Sequence, residues 1–466
     1  MVIGTIGGFP AGFGYEIMGY MTVSGWVGRS AAEIAAAVAA GKVTAAEVVG
    51  AHLAQVAARD AGVGAFVRVR DAAALAEAAA VDTRPDRSEL PLAGVPVSIK
   101  DLIGVTGEPM RTGSAATPRG PQEEDHPLVA RLRAAGAVVV GLTNMPELAI
   151  YPFTDSAYGV TRNPWDLSRT AGGSSGGAAA SVAAGMVPLA HGTDGLGSVR
   201  IPAAACGLFG IKPGPGLVPG GGGWFGLSES GPLATTVADA ALMLGVLAGR
   251  SYSLESPGPL RVAVSDRAPG PGIPVAGRCV AAVHESSALL AGLGHSIEDA
   301  GPPYPGWLSA VLLSYWLAAP VSEAGPNMAE MEARTRQHVK AGRQVLRTRP
   351  PRPADRERLR AALAPFWERH DVLVMPTLAQ PCPPARRYGN LSWPRSVAAA
   401  LRFSPMTSVW NLAGYPAATV PVPADGLPSA VQLVTSPGRE DLLLSLAAEL
   451  EKARPWPRYA PGYVTA

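Results

Sequence analysis

Residues 151–231 crowd glycine, serine and proline into the middle of a chain of 466 residues, and the stretch reads as long loops. Long loops inside a compact domain are commonly functional. Within it Ser174 lies in Gly172-Gly173-Ser174-Ser175-Gly176-Gly177. Ser198 follows 24 residues later, closing the run Gly192-Thr193-Asp194-Gly195-Leu196-Gly197-Ser198, with Arg200 just behind. Glycine around a serine lets a nucleophile and several backbone N–H groups approach one small oxygen.

Amide hydrolysis needs a nucleophile, a base for its proton, an acid for the leaving amine and donors for the oxyanion. Ser198 is the candidate nucleophile, on a turn whose consecutive N–H groups can face one carbonyl oxygen. Lys100 ends the apolar run Val97-Ser98-Ile99 and is the candidate base. Bringing a lysine from about 10.4 to about 7–8 costs roughly 4 kcal/mol, within what burial supplies. Ser174 is the natural relay between them, because a hydroxyl both donates and accepts. Asp194 and Arg200 flank Ser198 and read as an ion pair that holds the loop. Neither a metal nor a cofactor is called for by this set.

Other motifs fit less well. Gly172-Gly173-Ser174-Ser175-Gly176 matches the G-x-S-x-G elbow of hydrolases, but that elbow needs a strand before it and a helix after it. Here the turn-like Asn163-Pro164-Trp165-Asp166 precedes it. Gly221 to Gly226 matches G-x-G-x-x-G, yet it follows no strand and opens no evident helix. Neither serine sits in a Ser-x-x-Lys arrangement. His191 reads as a structural residue at a strand end, and the basic stretch His338 to Arg360, interleaved with Asp355 and Glu357, as a solvated helix face.

Charge narrows the partners. Lys and Arg number 39 against 37 Asp and Glu, a net +2, which argues against a dedicated nucleic-acid or membrane surface. No apolar run reaches the ~18–20 residues of a membrane span. Cys206, Cys279 and Cys382 form no CxxC pair or zinc pattern, which suits a reduced cytoplasmic interior. A 47% apolar composition allows a sizeable core.

Regular structure is expected to begin with two capping boxes, Ser30 with Glu33 and Thr44 with Glu47. The second opens a helix to about Ala58, and a third helix spans Asp71 to Val81. Val95 to Lys100 and Ala137 to Gly141 read as strands, with a helix from Pro127 to Ala135 between them. A helix from Ala234 to Leu247 and a strand from Leu260 to Val264 follow. Residues 328–369 read as mainly helical. Strands are expected at Asp371 to Pro376, Ala418 to Pro423 and Ala430 to Thr435, and a closing helix at Asp441 to Lys452. Apolar strands between helices indicate an α/β sheet covered on both faces. Residues 1–27 are expected to be a poorly ordered extension, and 28–466 one large domain.

At these residues the chain resembles the amidase signature family. The resemblance is carried by Gly172 through Gly210, Gly94 to Asp101, Gly141 to Glu147, Gly231 to Ala234, Asn411 to Ala417 and Val431 to Val434. It implies a single α/β domain with a twisted mixed sheet sandwiched between helices. It also implies a triad of Ser198 as nucleophile, Ser174 on a cis peptide after Gly173, and Lys100 as base. The oxyanion donors would be the N–H groups of Gly195, Leu196, Gly197 and Ser198. The family usually reads Asp-Thr-Gly-Gly-Ser where this chain has Asp194-Gly195-Leu196-Gly197-Ser198. Gly195 is therefore expected to take the unusual backbone angle, and Leu196 to shape the acyl pocket. The expected activity is hydrolysis of small linear amides, with esters and carbamates as extensions, by a monomer or homodimer. The alternatives are a glutamine-hydrolysing subunit of a tRNA-dependent amidotransferase, and a scaffold with a vestigial site.

Overall fold

Both capping boxes form. The Ser30 hydroxyl accepts from the Glu33 N–H, and the Glu33 carboxylate accepts from the Ser30 N–H, opening the helix Ala31–Ala39. Thr44 and Glu47 repeat the exchange before Ala45–Val63. That helix runs past Ala58 and stops only at Gly64, whose φ of 68° suits glycine. The computed structural model describes residues 24–464 except 271 and 326. The expectation for 1–27 falls mostly on residues outside those described. Within the remainder, Ser24–Trp26 form a 3-10 turn and Trp26 packs on the core.

Eleven strands make one sheet. In chain order they are β1 (Phe66–Val69), β2 (Pro96–Lys100), β3 (Val138–Thr143), β4 (Leu189–Asp194), β5 (Phe209–Lys212) and β6 (Glu229–Ala234). β7 (Arg261–Val264), β8 (Ser296–Asp299), β9 (Val372–Pro376), β10 (Ala417–Val422) and β11 (Ser429–Thr435) complete it. Their order across the sheet is β1-β3-β2-β4-β6-β5-β10-β11-β9-β7-β8. β2 lies parallel to both β3 and β4, and the middle of the sheet from β4 to β9 is antiparallel. β7 is parallel to β8 and β9. Every residue of β2, β3 and β4 is buried, as expected of strands covered on both faces. One contiguous apolar cluster runs through the described residues, and the chain is a single large domain.

The 151–231 stretch departs from its reading as loops. It holds the helices Gly176–Ala183 and Arg200–Cys206, strands β4 and β5, the start of β6, and two short hairpins. Its glycines serve close packing. A Cβ at Gly177 would strike the Asn144 backbone and the Ala65 carbonyl, and one at Gly176 would strike Thr154. The whole helix Gly176–Ala183 is buried, built from Gly, Ala, Ser and Val small enough to lie against the sheet.

Candidate active site

β2 and β4 run side by side and parallel, so Lys100 and Asp194 emerge at the same edge of the sheet. Lys100 is fully buried. Its ammonium donates to Ser174 Oγ at 2.7 Å and to Thr193 Oγ1 at 2.8 Å. Burial lowers its pKa to about 7, against the opposing pull of the Asp194 and Glu323 charges. Ser174 follows Gly173 through a cis peptide bond and is itself buried. Strand Asp166–Thr170 precedes it and the helix Gly176–Ala183 follows, so the local order is strand, turn, helix, contrary to the turn-like reading of its approach. Its hydroxyl nonetheless meets a lysine rather than a histidine.

Ser198 lies between β4 and the helix Arg200–Cys206. It is half-buried and lines a cavity of about 570 Å³. The two serine loops are tied by the Ser175 N–H, which donates to the Ser198 carbonyl at 3.2 Å. Gly197, not Gly195, takes the left-handed backbone, with φ 124°. A side chain there would collide with Thr407, whose hydroxyl donates to the Leu196 carbonyl at 2.7 Å. Leu196 keeps ordinary angles and lines the cavity. The Gly197 N–H is already engaged by Asp194 Oδ1 at 2.6 Å. The N–H groups of Gly195, Leu196 and Ser198 meet no acceptor among the described residues. Of the four expected donors, Gly197 is thus engaged within the chain and the other three are left without a partner.

Asp194 and Arg200 do form the expected buried pair, bidentate at 2.9 Å through Nε and Nη2. Burial alone would raise the Asp194 pKa, but the Arg200 guanidinium and the Asn411 amide hold it well below the usual carboxylate range. Arg200 further donates to the Thr407 carbonyl, to Gln432 Oε1 and to Asn411 Oδ1. Asp194 also accepts from the N–H groups of Val199 and Arg200. The Ser198 loop therefore hangs from one ionic hub. His191 is buried with Nε2 3.1 Å from Ser230 Oγ, and burial pushes it down to about 3, so it stays neutral.

Trp224 sits at φ 57° in a left-handed turn, and its indole covers Gly195, where a Cβ would come within 3.1 Å of the ring. Such an angle is uncommon for a bulky residue and is worth about 1–2 kcal/mol of strain. Burial pushes the Glu323 carboxyl up to about 7, against the opposing pull of the Trp224 side chain and the Lys100 charge. Thr193, Asn411, Gln432 and Glu323 were not singled out from sequence. Thr193 adjoins Asp194 in the same glycine-rich run, and Asn411 and Gln432 fall in blocks that carry the family resemblance. Glu323 gives no sequence signal.

The Amidase family model matches residues 47–444. The chain is 41% identical over 459 residues to AmiB2 of Mycobacterium tuberculosis, which is named as an amidase, covering 93% of this chain and 97% of that one. A solved 6-aminohexanoate cyclic dimer hydrolase in complex with substrate superposes with a TM-score of 0.84 at 31% identity, covering 94% of this chain and 99% of that one. A bacterial aryl acylamidase of the amidase signature family superposes with a TM-score of 0.80 at 26% identity, over 94% of this chain and 99% of that one. With the matching sheet, the Lys100–Ser174 pair and the Ser198 loop, this chain belongs to the amidase signature family, hydrolases of carbon–nitrogen bonds in amides.

Proposed function

We propose that the protein hydrolyses small linear carboxylic amides through an acyl-Ser198 intermediate, with Ser174 as relay and Lys100 as base. The observation that carries this is the fully buried 2.7 Å contact between Lys100 Nζ and Ser174 Oγ, with the next residue, Ser175, hydrogen-bonded to Ser198, which lines the cavity. Near neutral pH much of Lys100 is uncharged and able to accept a proton. Ser198 Oγ attacks the carbonyl carbon while its proton passes to Ser174, whose own proton passes to Lys100. The oxyanion settles on the N–H groups of Gly195, Leu196 and Ser198. The same relay, run backward, protonates the nitrogen as the C–N bond breaks and the amine departs. Water then attacks the acyl group, gives a proton to the relay, and releases the acid and free Ser198.

Esters share the tetrahedral intermediate and react by the same route. Aryl carbamates are the further extension, because Leu196, Trp224 and Trp316 give the cavity apolar walls that suit an aryl group. The three buried free thiols support a reduced, cytoplasmic setting. The test is release of p-nitroaniline from an acyl-anilide panel, with an aryl carbamate and glutamine alongside, by the unmodified protein, Ser198→Ala and Lys100→Ala. Turnover that falls at least about 1,000-fold in both variants is expected. Undiminished turnover in Ser198→Ala would contradict the mechanism, and cleavage of glutamine alone would move the activity to the amidotransferase reading.

A further inference from the structure

Six large apolar side chains stand exposed among the described residues; two of them, Leu313 and Leu401, line the Ser198 cavity, and a third, Phe225, adjoins the lining Trp224. Leu313, on the helix Leu308–Ala318, is 39% exposed and lines the cavity. Leu401, on the helix Trp393–Phe403, is 47% exposed and lines it too. Phe225 follows the lining Trp224, is 49% exposed, and sets its ring edge-on to Tyr315 of the same helix as Leu313. The same lining holds the apolar Leu312, Trp316 and Leu196 together with Ser198. Arg402, beside Leu401, is the one charged side chain among the described lining residues. A mostly apolar cavity that holds a candidate reactive group and reaches exposed apolar side chains marks a binding surface rather than a packing remnant.

We propose that the natural substrate carries an extended, uncharged apolar arm that fills the cavity and emerges across Leu313 and Leu401. This rests on Ser198 as the nucleophile and adds the substrate's shape and chemical class. A small acyl group leaves the rim leucines wet, whereas an alkyl or aryl chain passing between them covers both. Continuity with the Ser198 cavity favours a substrate arm over a lipid surface as occupant, and the near-balanced charge of the chain gives no added pull toward an anionic membrane.

The test is kcat/KM for acyl p-nitroanilides from acetyl to dodecanoyl, kept below their micelle concentrations. A matching series of acetamides with N-alkyl chains reads the other side of the scissile bond. In one of the two series the unmodified protein is expected to gain about two- to fourfold per added methylene until the chain clears the rim. Leu313→Glu and Leu401→Glu are expected to lower the long-to-short ratio of kcat/KM at least about tenfold. Both positions face solvent, and circular dichroism checks that the variants fold. A flat or falling profile in both series, with turnover still lost in Ser198→Ala, overturns the arm and leaves the nucleophile standing. Flat series that rise only on adding phosphatidylcholine vesicles overturn it in favour of a lipid surface. Turnover that survives Ser198→Ala removes the nucleophile and the arm together.

Discussion

At the scale of single residues the proposed chemistry depends on a lysine whose charged form burial disfavours. Burial pushes Lys100 down to about 7 from the ordinary 10.5. With its neutral form as the proposed base, kcat/KM for an uncharged anilide should rise with pH through about 7 and level off above it. A rate that falls over that range would contradict the assignment. The Glu323 charge raises the proton affinity of Lys100, so Glu323→Gln should move the limb to lower pH, read from the same pH profile. Gly197→Ala should cost about 1–3 kcal/mol in urea unfolding and most of the activity, because φ 124° and Thr407 leave no room for a side chain. The candidate triad was legible because glycine-flanked serines and a lysine after an apolar run occur together, a combination that carries meaning where none of the three does alone. The choice between Gly195 and Gly197 for the left-handed angle was not legible. It is set by Thr407, which lies more than two hundred positions away and gives its hydroxyl to Leu196.

At the scale of elements the same glycines that suggested loops turn out to be spacers. Gly177→Ala tests this, since alanine is the better helix former by about 1 kcal/mol yet its Cβ would meet Asn144 and Ala65. The packing term should win, giving a net loss of about 1–3 kcal/mol in denaturant unfolding. A gain in stability would show that the neighbours can yield. Capping boxes and apolar strands were readable because their partners lie within a few residues. The helix Leu308–Ala318 was not, because Val311, Leu312, Tyr315, Trp316 and Leu317 place apolar groups all round it and leave no stripe. Gly277–Gly292 was hidden by glycine at both ends and by alanine and serine that dilute its buried face. β1 is four residues long and borders a helix at each side, too short for alternation to register.

At the scale of the whole molecule the site is assembled by sheet order, which local pattern does not encode. β2 and β4 are neighbours although two helices, a strand and two short hairpins separate them in the chain. Arg200 binds Asp194 nearby and Thr407, Asn411 and Gln432 from the far end of the sequence, so one guanidinium joins both halves of the sheet to the Ser198 loop. Arg200→Ala leaves the Asp194 carboxylate buried and unpaired. It should cost about 3–5 kcal/mol, seen as a lower urea midpoint, with Arg200→Lys recovering only part of the loss. The family resemblance made the architecture foreseeable and named the candidate triad, while the hub had to be seen in three dimensions. The most direct test of the account is mass spectrometry of protein quenched during turnover of an activated ester. An acyl group on the peptide carrying Ser198, one per chain, with a burst of leaving group that vanishes in Ser198→Ala, is the predicted result. An acyl group on Ser174, or a burst that persists in Ser198→Ala, would contradict it.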